Sequence, residues 1–207
     1  MGRYNFDKIV DRKHTKSLKY DFAVQRGKPA DVLPFWVADM DFEIPSELKQ
    51  VLLDRVNHGI FGYTESDDEY FNVLKQWFAS RFNWNIDKKW LVKTPGVVFA
   101  LAMAVRAFTK KGEGVLINQP VYYPFSMVID DNDRNLINVP LIQGEDRYTI
   151  DFEGVERAII EHNVTLFLLC NPHNPVGRVW TEEELKHLGD ICIKHNVIII
   201  SDEIHAD

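Results

Sequence analysis

Two side-chain amides stand in the segment Asn171-Pro-His-Asn-Pro-Val-Gly177, which two prolines stiffen and Gly177 lets exit tightly. Amides held that way at Asn171 and Asn174 suit a ligand hydroxyl or phenolate. A single Asn-Pro reads as a connecting turn; two in one loop shift the reading toward ligand binding. Ser201-Asp-Glu-Ile-His-Ala-Asp207 follows a run of branched apolar residues. A carboxylate emerging from a buried strand needs a cationic or protonated partner, because desolvating it alone is costly, and Asp202 is such a carboxylate. Asp202, His205 and Asp207 also have the chemistry of ligands for a divalent ion. No other His/Asp cluster has ligand spacing, so metal is the weaker reading and no metal site is predicted. Asn118-Gln-Pro-Val-Tyr-Tyr-Pro-Phe125 sets aromatics beside prolines. An aromatic there could stack on a flat heterocycle, while Tyr123 and Phe125 read better as cover for a core. Thr94-Pro-Gly-Val-Val-Phe-Ala-Leu101 reads as a helix start, where free N–H groups and the helix dipole favour an anion and Gly96 admits close approach. On its own a helix start is a weak sign of a site.

The first three stretches each follow a short run of branched, apolar residues. Residues 114–118, 135–141, 165–170 and 197–201 are too short for helices and read as strands. Helical stretches alternate with them. Thr181 can cap one, with Glu184 three residues on completing a capping box and Leu185, Leu188 and Cys192 forming its buried face. Further upstream, Pro45 and Glu47 open a helix to about His58. Tyr70, Phe71, Leu74, Trp77, Phe78 and Phe82 recur at helical spacing as an aromatic stripe expected to be core. Strand–helix alternation with continuous apolar strands predicts an α/β fold with a mostly parallel sheet covered on both faces. Ligands of such sheets bind beyond the carboxyl ends of the strands, where the loaded loops fall. The first 45 residues are polar, aromatic-rich and weakly periodic, so the boundary is drawn between an arm and small-domain segment, 1–45, and a large domain, 46–207. Arg26-Gly-Lys-Pro29 reads as a turn, and Phe35-Trp-Val-Ala-Asp-Met-Asp-Phe42 sets two acids among large apolar groups, odd for a simple strand.

The 207 residues are 45% hydrophobic and 27% charged, ample for a buried core, and 31 acids against 24 Lys and Arg give a net charge of −7. That balance argues against a nucleic-acid partner. The longest apolar stretch, 97–105, falls short of a membrane span and reads as a core helix. Residues 1–7 show neither a signal-peptide apolar core nor a myristoylation pattern, and Cys170 and Cys192 form no metal or redox motif; a cytoplasmic protein is expected. The chain ends directly after a strand that belongs inside the sheet, which leads to the expectation that it is the N-terminal portion of a longer protein, cut before the fold is complete. There is no G-x-S-x-G elbow, Walker A lysine motif or H-E-x-x-H, and Gly112-Glu-Gly114 lacks the third glycine of a dinucleotide fingerprint.

An anion site, a stacking aromatic, an amide for a phenolic oxygen and a buried aspartate together match the needs of pyridoxal phosphate. The chain resembles the N-terminal half of a fold-type I, aspartate-aminotransferase-like enzyme of three α/β/α layers. Within that superfamily residues 36–42, Phe61-Gly-Tyr63, Pro95-Gly-Val-Val98, 171–177 and Ser201–His205 resemble the MalY/PatB group of cystathionine β-lyases, in order from about Tyr4 to the end. The resemblance implies that Asp202 pairs with the pyridine nitrogen and keeps it protonated. It implies that Asn174 bonds the ring 3-oxygen, that Tyr122 stacks on the ring, and that the backbone of Gly96, Val97 and Val98 holds the phosphate. Tyr63 is implied to reach the phosphate in the partner subunit of a homodimer. His205 stands near the 3-oxygen where many aminotransferases carry tyrosine, and residues 36–42, with Val37 and Ala38, are implied to line the substrate carboxylate pocket.

The implied reaction is α,β-elimination on L-cystathionine or a related S-substituted cysteine, giving a thiol, pyruvate and ammonia. That chemistry needs a Schiff-base lysine, which in the family follows the Asp202 motif, whereas the last lysine here is Lys194. The family's carboxylate-binding arginine is also absent. Lys110, Lys111 and Lys194 lie in or beside helices and do not qualify as the lysine, so the 207-residue chain alone is expected to be inactive. An aminotransferase of the same fold is the alternative within the superfamily; a non-catalytic or regulatory relative is the alternative outside it. Residues 36–42 and His205 favour the lyase.

Overall fold

A computed structural model describes residues 4–206, so Asp207 lies outside the described residues. The chain divides into two compact units, Met1–Glu65 and Ser66–Asp207. In the first unit, a short 3₁₀ turn at Val24–Arg26 closes on Gly27 in the left-handed region, the turn expected at 26–29. Helix α1, Ser46–His58, starts after Pro45 and ends at left-handed Gly59. The two acids of 35–42 have their explanation here. Arg12 bonds both Asp39 and Asp41, and Lys19, itself buried, reaches the Asp39 carbonyl at 3.0 Å and the Asp41 carboxylate at 3.3 Å. The segment is an ion-paired loop in which Val37 takes φ 60°, a conformation that β-branched residues rarely adopt.

The second unit opens with α2, Asp68–Phe82, capped by the Asp67 carboxylate. The periodicity is confirmed, but the expected burial is not. Only Phe71 of the aromatic stripe is buried; Tyr70, Trp77 and Phe82 stay exposed, and Phe78, Phe82 and Trp84 cluster among themselves. Then follow α3 (Val97–Phe108), β1 (Gly114–Ile117), α4 (Pro124–Asp130), β2 (Asn135–Asn138), the hairpin β3 (Ile142–Gln143) and β4 (Tyr148–Thr149), α5 (Phe152–His162), β5 (Leu166–Cys170), α6 (Glu182–Lys194) and β6 (Ile198–Asp202).

The main sheet is wholly parallel, ordered β2-β1-β5-β6. Strand alternation sends Leu116, Phe167 and Leu169 to one face, into a core with Val155 and Ile159 of α5 and Leu188 and Cys192 of α6. Val115, Ile117, Leu166 and Leu168 go to the other, against Leu101 and Val105 of α3 and Phe125 and Ile129 of α4. Three α/β/α layers result, as expected. Helix α6 begins with the anticipated box: the Thr181 hydroxyl accepts from the Glu184 N–H, and the Glu184 carboxylate accepts from the Thr181 N–H. Phe125 is fully buried as cover for this core, but Tyr123 is exposed, since it precedes the first turn of α4 and projects outward. Among the described residues no helix is long and apolar enough to cross a membrane.

Candidate cofactor site

Three strands end side by side, and each end leads into one of the loaded loops. β1 leads through the segment 118–123, which bears Tyr122; β5 leads into 171–177; β6 ends on Asp202 itself. The register pairs Cys170 with Asp202, and the Asn171 N–H donates to the Asp202 carbonyl at 3.0 Å, so the β5 and β6 ends are stitched together. Asn174 and His205 line one small cleft of about 240 Å³ together with Pro172, His173, Pro175 and Gly177.

The start of α3 belongs to the same edge. Its C-terminus is joined by residues 109–113 to the start of β1, and its body packs on β5, β6 and α4. Its 12 residues run about 18 Å at 1.5 Å each, the length of a strand of this sheet or slightly more, so its N-terminus reaches the edge where the strands end. Asp67, Asp151 and Thr181 cap their helices with side-chain oxygens; Gly96 has none to offer, and among the described residues the first-turn N–H groups of α3 have no side-chain acceptor. A Cβ on Gly96 would meet no atom within 4 Å.

Asp202 is only 7% exposed. One carboxylate oxygen accepts the Ile204 N–H at 3.1 Å, and among the described residues no Lys, Arg or His stands within ion-pair distance. Burial pushes its carboxyl above the ordinary carboxylate range; the Ile204 N–H and the more distant His205 pull the other way without cancelling it. A buried acid lacking a counter-cation, an uncapped helix start and an exposed Tyr122 ring share one sheet edge with the Asn174 amide, and this set fits pyridoxal phosphate: a protonated heterocyclic nitrogen, a phosphate, an aromatic face and a phenolic oxygen. Asn171 has another task. Its side-chain oxygen accepts from the Trp180 N–H at 3.2 Å, bracing the loop. Among the described residues no group of three or more His, Cys, Asp or Glu could hold a metal ion.

Three other expected site residues, Val37, Ala38 and Tyr63, belong to the first unit and are exposed there, Tyr63 fully. The lysines excluded as Schiff-base donors lie elsewhere. Lys110 and Lys111 sit between α3 and β1, and Lys194 in the last turn of α6 just before β6, all at the edge where strands begin; Lys111 pairs with Asp133 at 2.6 Å and Lys194 with Glu156 at 2.7 Å. Sequence reasoning missed His173, whose Nε2 lies 2.9 Å from the Pro120 carbonyl. Its place between two Asn-Pro pairs was the available signal. The Arg12 and Lys19 partners of Asp39 and Asp41 left no local signal, because 20 or more residues separate them from those acids.

A parallel α/β/α sheet with an acid, an amide and an uncapped helix start along its carboxyl edge fits a class of cofactor-dependent enzyme folds, and comparison with known proteins narrows it. The model of the aminotransferase class I and II family matches residues 30–207. Cystathionine beta-lyase PatB of Bacillus subtilis is 44% identical over 203 residues, covering 98% of this chain and 52% of the relative. Protein MalY of Escherichia coli is 36% identical over 205 residues, covering 99% and 53%. The crystal structure of cystalysin from Treponema denticola, which contains pyridoxal 5'-phosphate, superposes with a TM-score of 0.89 at 41% identity, covering 97% of this chain and 52% of that one. The chain belongs to the aminotransferase class I and II family, with the fold-type I architecture of its pyridoxal-phosphate-dependent members, and spans about half the length of the curated relatives it matches.

Proposed function

We propose that the protein carrying this chain is a pyridoxal-phosphate-dependent C–S lyase of the cystathionine β-lyase type, acting as a cytoplasmic homodimer. It would convert L-cystathionine or a related S-substituted cysteine, with water, into a thiol, pyruvate and ammonia. The observation that carries this reading is Asp202, a buried carboxylate at a strand end without a cation beside it. The cofactor, when bound, supplies a protonated ring that draws electrons from the substrate's α-carbon. Asp202 would hold the proton on the ring nitrogen. Asn174 donates to the 3-oxygen with His205 beside it, Tyr122 covers the ring face, and the N–H groups at Gly96, Val97 and Val98 take the phosphate. Tyr63 serves the phosphate of the partner subunit, and Val37 and Ala38 border the substrate carboxylate. The choice of lyase rests on the naming of the relatives together with residues 36–42 and His205.

The test is the full-length gene product, assayed for bound pyridoxal phosphate and for pyruvate and thiol from L-cystathionine. Release of both in equal amounts is expected. Amino transfer to a 2-oxo acid without pyruvate makes the protein an aminotransferase, and a full-length product with no bound cofactor makes it a non-catalytic relative. The 207-residue chain alone is expected to show no borohydride-reducible linkage on any lysine; finding one contradicts the exclusion of Lys110, Lys111 and Lys194.

A further inference from the structure

His173 is 3% exposed; its Nε2 lies 2.9 Å from the Pro120 carbonyl, the Cys170 backbone also acts on the ring, and Nδ1 is buried with no hydrogen-bond partner among the described residues. A carbonyl only accepts, so Nε2 carries the hydrogen and donates it. Burial pulls the imidazole below its ordinary range, against the Pro120 and Cys170 backbone groups, and this favours the neutral ring. The ring stands edge-on to Trp180, with centroids 5.4 Å apart. Trp180 is fixed in turn, its indole N–H donating to the Cys170 carbonyl at 3.0 Å and its backbone N–H to Asn171. The His173 backbone is also bridged to Arg178, with its N–H 2.6 Å from the Arg178 carbonyl. His173 is thus anchored to the loop after β5, and its Nε2 bond reaches across to the loop after β1. At either end of that bond stand two proposed cofactor contacts: Asn174, the next residue, and Tyr122, two residues past Pro120.

We propose that His173 is a positioning residue, whose Nε2–H···O bond to Pro120 sets the spacing between the Tyr122 loop and the Asn174 loop and so the seat of the cofactor ring between them. The inference rests on the function proposed above. A single buried hydrogen bond is worth up to about tenfold in an equilibrium constant, and its loss here is read at the two residues it aligns instead of at the fold as a whole. His173→Phe keeps a flat ring against Trp180 and deletes the donor. His173→Gln loses the ring but can present a side-chain N–H toward Pro120.

In the full-length holoenzyme, His173→Phe is expected to release pyridoxal phosphate about tenfold more readily. At saturating cofactor it should show a displaced cofactor absorption band and a lower kcat with KM unchanged. His173→Gln is expected to restore most of the affinity and the band position. If His173→Phe does not fold, His173→Asn, whose shorter amide falls short of Pro120, takes its place. A folded Phe or Asn variant with wild-type affinity, band and kcat overturns the proposal, as does a Gln variant no better than Phe. Wild-type protein that retains no pyridoxal phosphate overturns the functional reading, and this inference with it.

Discussion

A buried carboxylate with no cation beside it destabilises the protein that contains it, and Asp202 imposes that cost on the cofactor-free chain. Because its folded-state carboxyl sits above the ordinary range, it favours folding most at acid pH and loses that contribution as pH rises through the raised value. Asp202→Asn is therefore expected to stabilise the cofactor-free protein at neutral pH by about 1 kcal/mol, with the gain shrinking in acid. In the full-length enzyme the same change should cut elimination by about a hundredfold or more, as losing a preorganised charge partner does. Melting temperature against pH for both proteins, beside the pyruvate assay, checks the pair of effects; equal melting curves contradict the first. Asp39 and Asp41 show the opposite case. The Arg12 guanidinium holds both carboxyls below the ordinary range, so they favour folding at neutral pH and lose that as pH falls.

Among the elements, the start of α3 carries the sharpest chemical claim, that backbone N–H groups hold a phosphate. Proline is well tolerated at the first position of a helix, where its missing N–H has no helical partner, and Gly96 is already extended, as a residue before proline must be. Val97→Pro should therefore leave α3 and the melting temperature nearly intact while removing one donor, weakening pyridoxal phosphate binding about tenfold in the full-length protein. Unchanged affinity in a folded variant removes Val97 from the site. The elements themselves were largely legible. Branched apolar runs marked all four strands of the main sheet to within a few residues, and Thr181 with Glu184 marked a capping box that the structure contains. What was not legible depended on partners distant in sequence. The α2 stripe told the helix period correctly but not whether anything covers it, and Tyr123 looked the same in sequence as its buried neighbour Phe125. Within the candidate site, the residues and strand ends alone pointed to Asp202, to the Asn171 and Asn174 amides and to an aromatic of 118–125; the family resemblance singled out Asn174 and Tyr122. The His173–Pro120 bond, spanning 53 residues, and the ion pairs behind Val37 need the folded chain to be seen.

For the molecule as a whole, the sheet separates two tasks: apolar side chains on both faces hold the second unit together, and polar groups gather at the carboxyl edge. The two cysteines divide the same way. Cys192 belongs to α6 and faces the core, its thiol pushed up to about 11 by burial. Cys170 ends β5 at the site edge, also raised by burial, with its sulfur accepting the Asn174 N–H and donating to the Pro172 carbonyl, each at 3.4 Å. Only a thiolate is alkylated quickly, so neither should react until the protein opens around it. The two thiols are thus clocks for different events. Cys192 counts unfolding of the core, and Cys170 counts lifting of the loop that bears Asn174. Added pyridoxal phosphate should slow alkylation of Cys170 in the full-length protein far more than that of Cys192, as mass spectrometry of each labelled peptide would show. Equal slowing would mean that the Asn174 loop never lifts on its own, and that the cofactor enters and leaves only when the whole core does.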